Sequence, residues 1–286
     1  MPVISLQLEL NGRPEVIKLD LDENVGNQRV ILQNLSAGQV YEPDVSALLL
    51  RTLRPGDTFV DIGANIGFFS VLAGKLVGPD GHIAAFEADA DNHRDLVRHL
   101  ELNDLANVDA VCMPVADTAE PRVFFTNADD SGGHALWDPA SLTSNVKSAE
   151  QQVSTLRETT TLDTYFAAKP EMSRPKAIKI DIEGAEELAL RGGRDLLANG
   201  AVPFVICELH EFGLERMGGS QAGLRGLMSE LGYETFLPAM DGSLPKLIPA
   251  GTEIRSQFII NLLLSRPERL SAFWPTEDIA HGAPSA

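Results

Sequence analysis

Thr58-Phe59-Val60-Asp61-Ile62-Gly63-Ala64-Asn65-Ile66-Gly67 is the stretch whose reading decides the fold. Thr58 to Ile62 is a short apolar strand, the chain then turns on glycine, and Asn65 to Leu76 reads as a helix apolar almost all round. Gly63 allows a tight backbone turn, and Gly67 allows helix and ligand to approach closely. The helix N-terminus offers free N–H groups that suit an anion. Outward from this unit the pattern repeats. Ile83 to Phe86 and Val108 to Val115 read as strands, with a helix over Asp91 to Leu102 between them. Ala177 to Ile182 and Pro203 to Leu209 are further strands, separated by a helix over Ala185 to Leu197. Tyr233 to Leu237 and Gln257 to Leu264 read as a closing antiparallel pair. Strands alternating with helices imply crossover connections and a mostly parallel sheet covered on both faces.

Glu87 stands 20 residues beyond Gly67, at the end of the next strand. A carboxylate there can accept the ribose hydroxyls of an adenosine. Three ligand readings and one bland one compete. A nicotinamide dinucleotide prefers G-x-G-x-x-G, but Asn65 stands where the second glycine belongs and the spacing differs. A phosphate loop needs G-x-x-x-x-G-K-S/T, which is absent. S-adenosylmethionine (AdoMet) carries a smaller anion and tolerates a loop with fewer glycines. The bland reading is a plain strand-to-helix turn, and Glu87 in its correct place argues against it.

Several stretches together resemble the FkbM-type family of AdoMet-dependent methyltransferases. They are Tyr41-Glu42-Pro43, the run from Gly56 to Gly67, Ala85-Phe86-Glu87, Thr161-Leu162-Asp163, the run Ile178-Lys179-Ile180-Asp181-Ile182-Glu183-Gly184-Ala185-Glu186, and Ile206-Cys207-Glu208-Leu209-His210. The likeness spans roughly residues 41 to 265, and the Lys-Ile-Asp-Ile-Glu-Gly run is its more specific part. Ala88-Asp89 departs from the proline that often follows the ribose-binding acid in this family. The resemblance implies O-methylation of small molecules, often sugars or natural products. The expected fold is α/β, a class I methyltransferase (Rossmann-like) architecture with a doubly wound, mostly parallel seven-stranded sheet and a small N-terminal β-element. The expected cofactor-binding residues are Asp61, Gly63, Asn65, Gly67, Glu87 and Asp117, the last meeting the adenine amino group.

A second polar cluster follows from alternation. Lys179, Asp181 and Glu183 point to one face of a strand, and Glu208 and His210 share a face of the next. Ligands of open α/β sheets sit beyond the carboxyl ends of strands, so these groups gather at one rim. Methyl transfer needs alignment of the acceptor and removal of its hydroxyl proton. His210, with a reference pKa of about 6.5, is the expected general base, with Asp181 and Glu208 orienting it or holding the acceptor. Lys179 is expected to be a structural ion-pair partner. Methyl transfer requires no metal, so none is expected, although Asp181, Glu183, Glu208 and His210 form an oxygen-rich set that suits a hard cation. Glu42 reads as a helix-capping or cofactor-facing acid. His134 and Trp137 read as ordinary loop residues, and His82, His93 and His99 as surface residues.

Composition bounds the partners. Lys plus Arg number 23 and Asp plus Glu 41, a net charge of −18, which repels nucleic acid and anionic membranes. A small-molecule acceptor is expected, with no nucleic-acid or membrane partner; the sequence leaves the oligomeric state open. The N-terminus lacks a basic start before a long apolar run, no window suits a bilayer, and Cys112 and Cys207 read as two buried thiols, so the expected location is cytoplasmic. Residues 1–40 are expected to form an N-terminal β-hairpin extension turning at Asn11-Gly12, 41–265 the methyltransferase domain, and 266–286 a C-terminal tail, disordered from Pro275. Arg122 to Thr126 reads as one more strand, and residues 128–157 as a long loop of the kind that serves as a lid, a binding loop or a mobile linker. Two other functions remain open: N-methylation of a small amine, and AdoMet binding without catalysis. A dehydrogenase is a third rival.

Overall fold

A computed structural model describes residues 3–10, 12–172 and 174–274. The chain opens with β1 (Val3–Leu10) and β2 (Arg13–Asp20), antiparallel, with Leu10 opposite Arg13. Gly12 has a φ of +73°, as a two-residue hairpin loop demands, while Asn11 lies outside the described residues. The alternating apolar side of the pair faces the protein, with Leu10, Ile17 and Leu19 buried. Helices α1 (Gly26–Ser36) and α2 (Pro43–Thr52) follow, the latter with proline in its first turn, where no N–H is missed.

The central unit then builds in the expected alternation. Strand β3 (Thr58–Ile62) leads to α3 (Phe68–Val77), β4 (His82–Phe86) to α4 (Ala90–Leu102), and β5 (Val108–Val111) ends this half. A side arm of β6 (Arg122–Thr126), α5 (Val146–Glu150) and β7 (Val153–Arg157) comes next, then α6 (Leu162–Ala167). The second half is β8 (Ala177–Ile180), α7 (Glu186–Arg191), α8 (Arg194–Leu197), β9 (Phe204–Leu209), α9 (Glu211–Arg216), α10 (Gln221–Glu230), β10 (Glu234–Leu237), β11 (Lys246–Ile248), β12 (Ile260–Ser265) and α11 (Pro267–Leu270).

The main sheet runs β11-β10-β12-β9-β8-β3-β4-β5. Strands β9, β8, β3, β4 and β5 are parallel, and β12 is antiparallel to both β9 and β10. From β3 the chain first winds outward through β4 and β5, then returns to the other side through β8 and β9. The order therefore reverses between β3 and β8, which opens a crevice beyond their carboxyl ends. Alternate residues of each strand feed opposite cores. Phe59, Ile83, Ala177 and Ile206 pack with Leu49, Leu72 and Leu96 of α2, α3 and α4. Val60, Ala84, Ile178 and Val205 pack with Leu162, Leu190 and Leu224 of α6, α7 and α10. Each of the larger of these side chains stabilises the fold by roughly 1.5–3 kcal/mol before the ordering cost is counted.

The structure corrects several expectations. Among the described residues the main sheet has eight strands rather than seven; the extra one, β11, is a three-residue edge segment too short to show a period. Strand β6 pairs with β7 in a separate two-stranded sheet, and β7 lies inside the stretch read as loop. Helix α3 starts at Phe68, because Gly63, Asn65 and Gly67 all have positive φ and cannot be helical. The expected single helix after β8 breaks at Gly192-Gly193, where a Cβ on Gly192 would lie 2.0 Å from the Ala116 carbonyl oxygen. Cys112 sits past the end of β5 and is exposed; Cys207 is buried, and both are free thiols. Residues 266–274 are packed rather than trailing: Trp274 is buried and its Nε1 donates to the Gly242 carbonyl oxygen at 3.0 Å. The expected disordered tail from Pro275 lies outside the described residues.

His99 is a buried clasp, not a surface residue. Its Nδ1 lies 2.6 Å from the Ile66 carbonyl oxygen, and its Nε2 accepts from the Asp20 N–H at 3.0 Å. Asn103, one helical turn on, exchanges hydrogen bonds with the Lys18 backbone at 2.9 and 2.7 Å, replacing a missing strand neighbour for β2. The hairpin is thereby fastened to α4. Replacing His99 with alanine strands the Asp20 and Ile66 backbone groups and leaves a cavity. Urea unfolding of the H99A variant is expected to show a loss of about 2–4 kcal/mol.

Candidate active site

The turn after β3 has room for no side chain at its first glycine. A Cβ on Gly63 would lie 1.8 Å from the Asp181 carbonyl oxygen, so β3 and β8 leave the sheet in backbone contact. Asn65 takes a φ of +52°, which asparagine tolerates better than most residues. Its N–H donates to Glu87 Oε2 at 2.8 Å, and Glu87 Oε1 accepts from the Asp89 N–H at 2.7 Å. Burial pushes the Glu87 carboxyl up to about 7, against these two hydrogen bonds. Glu87 thus braces the turn while its remaining lone pairs face a cleft. Gly67 serves packing: a Cβ there would lie 2.5 Å from Leu96 Cδ1 on α4.

The cleft opens where the strand order reverses and holds about 1180 Å³ of free space, its mouth included. Gly63, Asn65, Glu87, Asp181, Glu183 and Glu208 all line it. Asn27 and Tyr41 reach it from the N-terminal segment, and Met113 to Val115 from the end of β5. Residues from Asp130 to Leu136 cover it. This cover, part of the expected long loop, is fastened down: Asn92 Nδ2 donates to the Ser131 carbonyl oxygen at 2.8 Å, and Ser131 Oγ to Asn27 Oδ1 at 2.6 Å.

One wall is crowded with acids around a single buried cation. Lys179 Nζ donates to Asp181 Oδ2 at 2.7 Å and lies 5.0 Å from the Phe69 ring centre. Burial works against the ammonium, yet Asp181, Glu42 and Asp61 together hold its pKa above the ordinary lysine value. Burial raises the Asp61 carboxyl, whose Oδ2 accepts from Ser70 Oγ at 2.6 Å. Burial and the charge of Asp181 raise Glu183 and Glu208 well above the carboxylate range. Burial pushes Glu42 up to about 7, with Lys179 opposing. Oxygens of Asp181, Glu183 and Glu208 come within 4.8 Å of one another, and Glu208 Oε2 is buried without a hydrogen bond. Such a wall can hold a cation or take up protons.

The residues expected from sequence divide. Gly63, Asn65, Glu87, Asp181 and Glu208 come together on the cleft; Asp61, Gly67, Asp117 and His210 are not among its lining residues. Asp61 lies behind the turn, tied to Ser70 of α3. Asp117, two residues beyond Val115, the last residue of that segment to line the cleft, is ion-paired with Arg122. His210 Nδ1 lies 3.6 Å from Glu183 Oε2 on the far side of that acid, and burial lowers its pKa. Its ring stacks on Trp137 at 6.2 Å, and Trp137 Nε1 donates to the Glu183 carbonyl oxygen at 2.5 Å, so Trp137 is a strut rather than a loose loop residue. His134 lines the cleft and accepts from the Asn127 N–H at 2.9 Å. Glu42 makes no capping hydrogen bond; its φ of +40° turns it into the cleft. Tyr41 and Asn27 were not anticipated as site residues: Tyr41 entered only within the family-like Tyr41-Glu42-Pro43 stretch, and an asparagine inside a helix carries no local signature.

A sequence profile described as the methyltransferase FkbM domain matches residues 61–235. The chain belongs to that family. The cofactor of this FkbM family is AdoMet. The chain is 28% identical over 149 residues to "Methyltransferase 1" of Beauveria bassiana, a match covering 48% of this chain and 59% of the relative's length. Among solved structures it is similar to an FkbM methyltransferase from Methylobacillus flagellatus, at 15% identity and a TM-score of 0.42, covering 82% of this chain and 60% of that one. It is also similar to a SAM-dependent methyltransferase from Aquifex aeolicus, at 12% identity and a TM-score of 0.42, covering 86% and 98%.

The FkbM cofactor fits the residues present. Glu87 has carboxylate lone pairs to spare for ribose hydroxyls, and the N-terminus of α3 offers N–H groups for a carboxylate. Replacing Glu87 with alanine removes a carboxylate that lines the cleft and the brace on Asn65. AdoMet affinity of E87A, read by isothermal titration, is expected to fall at least about tenfold, or about 1.4 kcal/mol.

Glu186 gives a second test. Its Oε1 accepts from the Ile182 and Gly184 N–H groups at 3.1 and 2.9 Å, which fixes the turn carrying Glu183. Burial raises it from 4.5 to about 7. Between these values the folded protein binds more protons than the unfolded chain, so its contribution is full below about 4.5 and lost as pH rises through about 7. Glu186→Gln keeps the acceptor but cannot ionise. Denaturant titrations are expected to show E186Q gaining on the parent protein from pH 5 to pH 8, by up to roughly 3 kcal/mol.

Proposed function

We propose that the protein transfers a methyl group from AdoMet to a hydroxyl oxygen of a small molecule, a glycan or a specialised metabolite, in the cytoplasm. One observation carries the reading: Glu87 and the Asp181–Glu208 wall face the same cleft above Gly63. Bound AdoMet supplies a methyl group already activated on a sulfonium. Glu87 and the Gly63–Asn65 turn hold the nucleoside end, and the α3 N-terminus holds a carboxylate. Asp181, fixed by Lys179, positions the acceptor. Glu208, whose Oε2 has no hydrogen-bond donor, takes the hydroxyl proton. His210 acts on this proton indirectly, through Glu183. The net charge of −18 favours a small acceptor over a nucleic acid, and two free thiols favour a reducing compartment.

The acid-rich wall also favours a second reading, N-methylation, because it attracts an ammonium. A panel of hydroxylated and amine compounds with methyl-labelled AdoMet distinguishes the two. Label is expected in the oxygen acceptors, and kcat of E208Q is expected to fall roughly a hundredfold. Label confined to amines would overturn the oxygen assignment.

A further inference from the structure

The carboxyl wall has too few cations to be fully ionised. Lys179 faces Asp181, Glu42 and Asp61, and its charge also reaches Glu183 and Glu208. Among the described residues it makes one ion pair, with Asp181. Glu208 Oε2 is buried with no hydrogen bond, and Glu183 has as its ion-pair partner a histidine whose own charge is disfavoured by burial. Around Glu208 stand Lys179 from β8, Asp181 just past its end, Glu183 and Glu186 from the turn and helix that follow, and Cys207 beside it on β9. Tyr41 faces the same group from the segment before α2. Carboxyls so close in a partly dry cleft keep protons until a positive charge arrives. The cofactor of the preceding reading, on which this inference rests, is such a charge before reaction and is neutral at sulfur after it.

We propose that the cleft reads the charge of its cofactor: the sulfonium form drives a proton off Glu208 and is held more tightly than the neutral thioether product. The same event leaves Glu208 ionised, ready to accept a proton, only when a methyl group is present to transfer. The step then balances. The acceptor oxygen forms a bond to the methyl carbon as the carbon–sulfur bond breaks, its electron pair stays on sulfur, and the hydroxyl proton passes to Glu208. Loss of the positive charge at sulfur leaves that proton on Glu208 and weakens the hold on the product, which favours its release.

Isothermal titration with AdoMet and with S-adenosylhomocysteine tests this without any acceptor. The two ligands share every group except the methyl and its charge. Titrations run in EDTA, in buffers of different ionisation enthalpy, from about pH 6 to about pH 8. AdoMet is expected to bind roughly tenfold tighter, as for opposite charges about 10 Å apart in a partly solvated site. Its binding is expected to release protons that S-adenosylhomocysteine binding does not release, and its advantage to widen as pH rises. In Glu208→Gln the advantage narrows to a few-fold and the extra proton release falls, while S-adenosylhomocysteine affinity, which reports an intact fold, stays unchanged. Equal affinities with equal proton release would overturn the proposal, as would an AdoMet advantage unaltered in E208Q. Failure of both ligands to bind would instead overturn the cofactor reading beneath it.

Discussion

Lys179 is the charge on which the site depends. It sits on β8, buried, with its ammonium against Asp181 and the face of Phe69. An unpaired buried ammonium would cost several kcal/mol and shed its proton. Here the acids around it make the proton easier to keep, and the ammonium in turn opposes the rise of the Glu42, Glu183 and Glu208 carboxyls. Each side makes the other tolerable. The ammonium also arrives without any loop, since alternation along a strand directs Lys179 to the same face as Phe59, Asp61 and Ala177. The electrostatic centre is therefore as rigid as the sheet.

Around that centre the backbone is held in unfavourable conformations. Glu42, Asn65 and Glu183 are non-glycine residues with positive φ, and all three line the cleft. Each costs on the order of 1–3 kcal/mol, which persists only where surrounding contacts over-determine it. Those contacts are visible. Asn65 is held by Glu87 and by Asn27, Glu183 by the two hydrogen bonds of Glu186 to its neighbours and by Trp137, and the Gly184 turn by backbone contact with Gly213. The strain aims polar groups inward that relaxed turns would leave to solvent.

This separates what the sequence showed from what it hid. The β3 turn, Glu87 and the Asp181 and Glu208 pair were legible because glycine, strand alternation and the switch-point rule each act over a few residues. His210 was misplaced for a physical reason. It obeys the same alternation, but β9 ends at Leu209, and the chain turning into α9 carries the ring behind Glu183. Asp117 was misplaced because β5 stops at Val111, and the segment after it lines the cleft only as far as Val115. His99 looked like a surface residue because helical periodicity reports one buried stripe and says nothing of a hairpin packed on another. Strand β6 was legible, but β7 and its pairing with β6 escaped, because pairing across the intervening residues leaves no local pattern.

The same reasoning moves the boundary of the functional unit. The family match begins at residue 61 and a domain start was expected at residue 41, yet Asn27 of α1 lines the cleft, and so do Tyr41 and Glu42. Asn27 links both sides of the opening, donating to Asn65 Oδ1 at 2.9 Å and accepting from Ser131 Oγ at 2.6 Å. Residue 65 belongs to the turn after β3 and residue 131 to the cover of the cleft, so one side chain from the N-terminal segment couples the two. The hairpin is in turn fixed to α4 by His99, whose Nδ1 meets Ile66 next to that turn. The N-terminal segment is thus the third wall of the candidate site, and the position of the cover over the turn after β3 depends on it.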